Sequence, residues 1–126
     1  MSESEDQDYE PVKHKVRYPS GAVKKKYYRV NGKLDGTYKM YYEDGTVNIK
    51  ADYDEGKRHG VVRSYYPNGQ LQVYAEYEDG LEHGVFRQYY PNGQLEIETY
   101  YERGVEVKHY KEWTVEGKLI TYITHR

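Results

Sequence analysis

Every glycine in the chain falls on a 24-residue period. Gly21, Gly45, Gly69, Gly93 and Gly117 form one column. Gly32, Gly56, Gly80 and Gly104 form a second, and Gly36, Gly60 and Gly84 a third; these are all twelve glycines. Other residue types keep the same step: Tyr18, Tyr42, Tyr66, Tyr90; Tyr41, Tyr65, Tyr89, Trp113; Val23, Val47, Leu71, Leu95, Leu119. Such a period marks a repeat architecture, in which each unit buries its apolar surface against its neighbours. One unit reads YPNGQLQVYAEYEDGLEHGVFRQY, residues 66–89.

Inside the unit the period is two. Val47, Ile49, Ala51 and Tyr53 alternate with polar residues, as do Leu71, Val73, Ala75, Tyr77 and Leu95, Ile97, Thr99, Tyr101. That is the signature of a half-buried strand. A second strand runs from the third glycine to the tyrosine pair, as in Val61–Tyr66. Pro67-Asn68-Gly69 and Pro91-Asn92-Gly93 are turn tripeptides, since Asn and Gly tolerate positive φ. Each unit therefore reads as a β-hairpin.

Two registers compete. A two-residue primed turn at Asn68-Gly69 sets Tyr66 opposite Leu71, Ser64 opposite Val73 and Val62 opposite Ala75. In the other units it sets Met40 opposite Ile49, Tyr38 opposite Ala51 and Phe86 opposite Thr99. A type I turn beginning at Pro67, with Gly69 as a bulge, slips every pair by one and exchanges the faces. The first register makes the more apolar face and is the one expected. The last repeat favours the second, which pairs Trp113 with Leu119.

Composition sets the thickness. Leu, Ile, Val and Phe total only 22 of 126 residues, whereas Tyr alone contributes 18. A tyrosine buries its ring and leaves its hydroxyl wet. The expected fold is all-β: a single-layer twisted antiparallel meander of about four to five 24-residue hairpins, with most side chains half-buried. The expected organisation is a disordered tail over 1–14, acidic and then basic, followed by a repeat domain over 15–126. Its units are 18–41, 42–65, 66–89, 90–113 and a partial unit 114–126. Lys25 and Arg29 interrupt the apolar columns of the first unit, and Lys108 replaces the third glycine near the end. Such departures suit terminal repeats.

The pattern Tyr-Tyr-x-Asn-Gly-x-Leu followed by Tyr-x-x-Gly-x-x-x-Gly resembles the variant MORN repeat, over residues ~18–123 and most strongly over 41–104. This form occurs in small proteins grouped as YwqK-type antitoxins. The resemblance implies a hairpin-repeat fold and a binding or scaffolding role. The antitoxin grouping implies neutralisation of a partner protein.

Catalytic signals are weak. His59 and His83 share a column, but equivalent residues of stacked hairpins lie ~10 Å apart, beyond the ~2.0–2.2 Å reach of shared metal ligands. They read as turn histidines. Glu82-His83 has the composition of an acid–base pair, yet adjacent strand residues point apart. His109 and His125 have no companions. There is no nucleophile elbow or phosphate-cradling loop. The expectation is no enzyme, no cofactor and no metal site.

Binding signals are stronger. Tyr65 and Tyr74 are expected on the opposite face from Tyr66 and Tyr77, with Tyr41, Tyr89 and Trp113 following Tyr65. Exposed Tyr and Trp anchor interfaces at low entropic cost. Arg63 and Arg87 share that face. The alternative for the Tyr65 column is packing against neighbouring hairpins. Charge is uneven as well. Residues 1–10 carry five acids and no base, residues 11–41 nine bases and one acid, and residues 42–113 eight bases and fourteen acids. Lys13, Lys15, Arg17, Lys24, Lys25, Lys26 and Arg29, continued by Lys33 and Lys39, make a basic end. It reads as a solvated terminal hairpin or as a docking surface for an acidic protein or anionic membrane. A pI near 6.2 argues against nucleic acid.

The opening MSESEDQDYE lacks the apolar run of a secretory leader, and no stretch approaches the ~18 apolar residues of a membrane span. The chain has no cysteine, compatible with a reducing compartment, so a cytoplasmic location is expected. The functional expectation is a non-enzymatic protein-binding module that occludes a partner; the antitoxin resemblance implies that this partner is a toxin. The alternatives are a self-associating scaffold or virion component, or a peripheral binder of anionic membrane.

Overall fold

The computed structural model of the chain describes residues 10–106 and 110–123. The first strands are β1 (Val12–Arg17), β2 (Val23–Val30), β3 (Lys33–Leu34), β4 (Gly36–Tyr41), β5 (Val47–Asp54), β6 (Lys57–Arg58) and β7 (Gly60–Tyr65). They are followed by β8 (Leu71–Glu78), β9 (Leu81–Tyr89), β10 (Leu95–Glu102), β11 (Val105–Glu106), β12 (Tyr110–Trp113) and β13 (Leu119–Ile123). One antiparallel sheet holds them all, in the order β1-β2-β4-β5-β7-β8-β9-β10-β12-β13, with β3, β6 and β11 as two-residue extensions paired to β2, β5 and β10. Spatial order follows chain order, as expected of a hairpin meander.

The tail boundary moves. Val12 pairs with Arg29 and His14 with Tyr27, so residues 12–14 open β1 rather than closing a tail. Pairing satisfies the outer backbone groups of β2, and the His14 and Tyr27 rings stack at 5.0 Å. Residues 1–9, Lys108, His109 and His125 lie outside the described residues.

Both competing registers occur within one hairpin. Through the strand bodies Ser64 pairs with Val73, Val62 with Ala75, Met40 with Ile49, Tyr38 with Ala51 and Phe86 with Thr99, the first register. At the turn Tyr65 pairs with Leu71, Tyr41 with Val47, Tyr89 with Leu95 and Trp113 with Leu119, the second. A β-bulge reconciles them, with Gln72 as the extra residue in β8 and Asn48 and Glu96 in β5 and β10. The expected Tyr66–Leu71 pair is therefore absent. Instead the Tyr66 N–H donates to the Gln70 carbonyl and the Gly69 N–H to the Tyr66 carbonyl, each at 2.9 Å. Gly69 takes φ +88°, the left-handed position that three-residue turns reserve for glycine. Primed two-residue turns do form, but at the opposite margin, where Asp79-Gly80 has φ values of 53° and 84°.

The bulge has one large effect on side-chain placement. Because the register slips there, Val47, Leu71, Leu95 and Leu119 leave the face of Ile49, Val73 and Ile97 and join Tyr41, Tyr65, Tyr89 and Trp113. The simple alternation read from the sequence fails at this one residue in each unit.

The remaining apolar residues make the packed face. Among the described residues only Ala51, Val62, Ala75 and Thr99 are buried, all on consecutive hairpins of this face. With no second layer above them, only small side chains are shadowed completely by larger neighbours. Those neighbours are aromatic: Tyr27, Tyr38 and Tyr53 follow one another at centroid distances of 5.6 and 5.9 Å, and Phe86 meets Tyr101 at 6.0 Å. Such contacts contribute ~0.5–1.5 kcal/mol each beyond area burial.

Candidate protein-interaction face

The opposite face is built from three parallel rows that cross the strands, the third running through the Thr37–Asp52 and Val61–Glu76 pairs. The first row is apolar. Tyr41, Tyr65, Tyr89 and Trp113 alternate along it with Val47, Leu71, Leu95 and Leu119. The four rings are half-buried, while Leu119 remains 49% exposed. Sequence reasoning placed the aromatic residues on this face; it placed the aliphatic ones on the other, for want of the bulge.

The main chain beneath this row is tied from unit to unit by the neighbouring tyrosine column. Tyr18 hydroxyl donates to the Tyr41 carbonyl at 2.6 Å, Tyr42 to Tyr65 at 2.6 Å, Tyr66 to Tyr89 at 2.5 Å and Tyr90 to Trp113 at 2.7 Å. A second tie links successive turns. The Asn68 side chain accepts from the Gln70 N–H at 2.9 Å and donates to the Pro91 carbonyl at 3.0 Å. Asn92 repeats this with Gln94 and Val115. Asp44 replaces this Asn one unit earlier and accepts from both Thr46 groups, which hold its carboxyl below the usual range. These ties fix the spacing of the rings.

The middle row is charged and runs in register from strand to strand: Lys15, Lys26, Lys39, Lys50, Arg63, Tyr74, Arg87, Glu98, Lys111. Arg63 and Arg87 flank the Tyr74 ring at 5.3 and 6.0 Å, within cation–π range. Arg87 Nε also donates to Glu98 at 2.8 Å, and this bond holds the guanidinium pKa up. The Tyr74 hydroxyl donates to Glu76 at 3.0 Å, which pushes the phenol pKa up, and the other Glu76 oxygen accepts from the Val85 N–H at 3.0 Å. Arg87 is thus preset by two neighbours. Lys50 and Glu98 were not singled out from the sequence, although the register that sets Met40 opposite Ile49 and Phe86 opposite Thr99 also sets them opposite Lys39 and Arg87.

The basic end is divided by the pleat. Lys13, Lys15, Arg17 and Lys26 lie on the charged face. Lys25 and Arg29 lie on the packed face, with their cationic groups 5.7 and 5.5 Å from the Tyr27 ring. Lys24 sits at the bulge, 5.8 Å from the Tyr18 ring. The seven residues therefore do not form one patch. Alternation across a strand separates neighbours that a charge count groups together.

Among the described histidines, His14 stacks on Tyr27 and the other two are tied to neighbouring turns or strands. His83 Nδ1 accepts from the Arg103 N–H at 3.4 Å, and the His59 N–H donates to the Asp52 carbonyl at 2.9 Å. Among the described residues no group of three or more His, Asp or Glu is placed to hold a metal.

Compared with known families, the chain matches the MORN repeat variant over residues 34–55, 58–79 and 82–103. It belongs to that family. The matched segments coincide with the central hairpins, from β3 to β10, and with the part of the sheet where the rows are most regular. MORN repeats are non-catalytic modules that bind proteins or membranes. No curated protein matches the chain.

Proposed function

We propose that this MORN-variant chain is a non-enzymatic module that binds a partner protein through the face carrying Tyr41, Tyr65, Tyr89 and Trp113 and blocks that partner by covering it, in the manner of an antitoxin or immunity protein acting in the cytoplasm. One observation carries the reading. A row of half-buried rings, spaced by main-chain ties, lies directly beside the preset Arg63–Tyr74–Arg87–Glu98 group. Rigid aromatic anchors next to oriented arginines are the composition of interface hot spots. Prior ordering lowers the entropy lost on docking.

The test is co-purification from the native host with tagged wild type and with the double variant Tyr65→Ser/Tyr89→Ser. A specific protein should be recovered with wild type and lost with the variant, while the circular-dichroism spectrum stays that of a sheet. Adding the chain should inhibit that protein's own activity in proportion to the fraction bound. Recovery by the variant at wild-type levels would remove the assignment.

A second reading is favoured by a separate feature. The sheet is open, and its last strand carries Leu119 and Ile120 at 49% and 56% exposure. Open edges and exposed apolar side chains promote strand-to-strand association. A scaffold formed that way should show a mass in light scattering that rises with concentration. A constant 15.0 kDa species excludes it.

A further inference from the structure

Five cations stand directly opposite one another across five successive strands of the charged face. Lys15 pairs with Lys26, Lys26 with Lys39, Lys39 with Lys50 and Lys50 with Arg63. Like charges in directly opposed positions destabilise a sheet. Farther along the same row the arrangement changes, and Arg87 is answered by Glu98. Among the described residues, Lys15, Lys26, Lys39 and Lys50 make no ion pair. Asp52, the acid in the next row, accepts from the Thr37 hydroxyl at 3.0 Å.

From Lys15 to Lys50 the row is also grooved. Three shallow depressions follow it. One is lined by Lys15, Lys26 and Tyr41, the next by Lys26, Lys39 and Lys50, and the third by Lys39, Lys50 and Tyr65. Each shares a lysine with the next. One wall is the apolar row, with Val23, Tyr41, Val47 and Tyr65. At ~4.8 Å per strand the five cations span ~19 Å.

We infer that this groove binds an extended acidic polypeptide segment of the partner, with carboxylates along Lys15–Lys26–Lys39–Lys50–Arg63 and apolar side chains against Tyr41, Val47 and Tyr65. The inference rests on the protein-binding reading and names the chemistry of the partner. An extended chain places a side chain on one side every ~6.7 Å, so three or four carboxylates fit the span, and flexible lysine stems absorb the mismatch. Two other polyanions fit less well. Neighbouring strands rotate by roughly 20–25°, so the face turns through roughly 80–100° from β1 to β7. A flat bilayer meets only part of a row that turns so far, whereas a flexible chain follows it. For nucleic acid, the interposed Val47 and Leu71 interrupt the succession of rings that stacked bases require.

The test uses the full chain and a random Glu/Tyr copolymer as probe, with binding followed by fluorescence anisotropy at low salt. One variant is Lys26→Gln/Lys39→Gln/Lys50→Gln. The charge-matched control is Lys33→Gln/Lys57→Gln/Lys118→Gln, which leaves the row intact. The row variant should lose at least about tenfold in affinity, and the control less than about twofold. The row variant should also unfold at higher urea than wild type, because opposed like charges have been removed; Lys39→Gln alone should do the same to a smaller extent. Several outcomes overturn the inference: equal loss in both triple variants, no binding by wild type, or tighter binding to phosphatidylserine vesicles or to an oligothymidylate than to the copolymer. If wild type ignores the copolymer yet still captures its native partner through Tyr65 and Tyr89, this inference fails and the protein-binding reading stands.

Discussion

The hydroxyl of Tyr66 donates to the main-chain carbonyl of Tyr89, 23 residues away, at 2.5 Å. This bond joins consecutive units without using the strand ladder. Tyr66→Phe keeps the ring and removes only the donor. It should lower the unfolding free energy by about 0.5–1.5 kcal/mol, measured by urea denaturation. Adding Tyr42→Phe removes the tie to Tyr65 and should lower it again. No change in the double variant would mean that water replaces the tie without loss.

Gly84 and Gly69 differ in what surrounds them. Gly84 has φ +118°, and a methyl group there would collide with Glu76 Oε1, the atom region that also receives the Val85 N–H. Gly69 has φ +88° and open space around it. Gly84→Ala should therefore cost about 2–4 kcal/mol and Gly69→Ala about 1–2 kcal/mol, the second reflecting backbone strain alone. Equal losses would show that the Glu76 contact is relieved by a side-chain shift.

Among the described residues, four that are not glycine occupy left-handed positions in the primed turns: Asn31, Glu55, Asp79 and Arg103. Asn and Asp tolerate that region better than Glu or Arg. The interactions at Arg103 include its main-chain N–H, which reaches His83 whatever the side chain. Arg103→Asn should thus stabilise the fold by about 0.5–1 kcal/mol in the same denaturation assay.

Alkaline pH should unfold the sheet. The phenols of Tyr66 and Tyr101 are pushed above their ordinary value of 10.0 by burial, and that of Tyr74 by its bond to Glu76. A raised pKa means that the folded chain holds protons that the unfolded chain releases. The associated stability is complete below pH 10 and is lost as pH rises through the folded values. The urea midpoint should fall as pH is taken above 10, in step with tyrosinate absorbance. Tyr74→Phe should make that fall shallower.

Most of the fold was legible because two periods, 24 and two, agree along the chain. The conflict between registers was legible too, and it held the missing information. Pro67-Asn68-Gly69 asks for one pairing, while Ser64–Val73 and Val62–Ala75 ask for another. Each local preference is satisfied once Gln72 is left over. On the charged face Tyr65, Arg63 and Arg87 could be placed together, because they belong to equivalent positions of one strand type. Lys50 and Glu98 follow from the register that sets Met40 opposite Ile49 and Phe86 opposite Thr99, but the continuity of their row needs the Lys26–Lys39 and Lys50–Arg63 pairs between hairpins, which no turn in the sequence specifies. The basic end was overestimated for a different reason: residues 24–26 are contiguous in sequence but distribute over a bulge and two faces.

The leftover residue recurs at Asn48, Gln72 and Glu96, once in each period. Duplicating or excising a whole 24-residue segment therefore leaves every surviving side chain pointing as it did before. Evolution can lengthen or shorten such a protein in steps of two strands, or ~10 Å, and match its reach to a larger or smaller target without redesigning either surface.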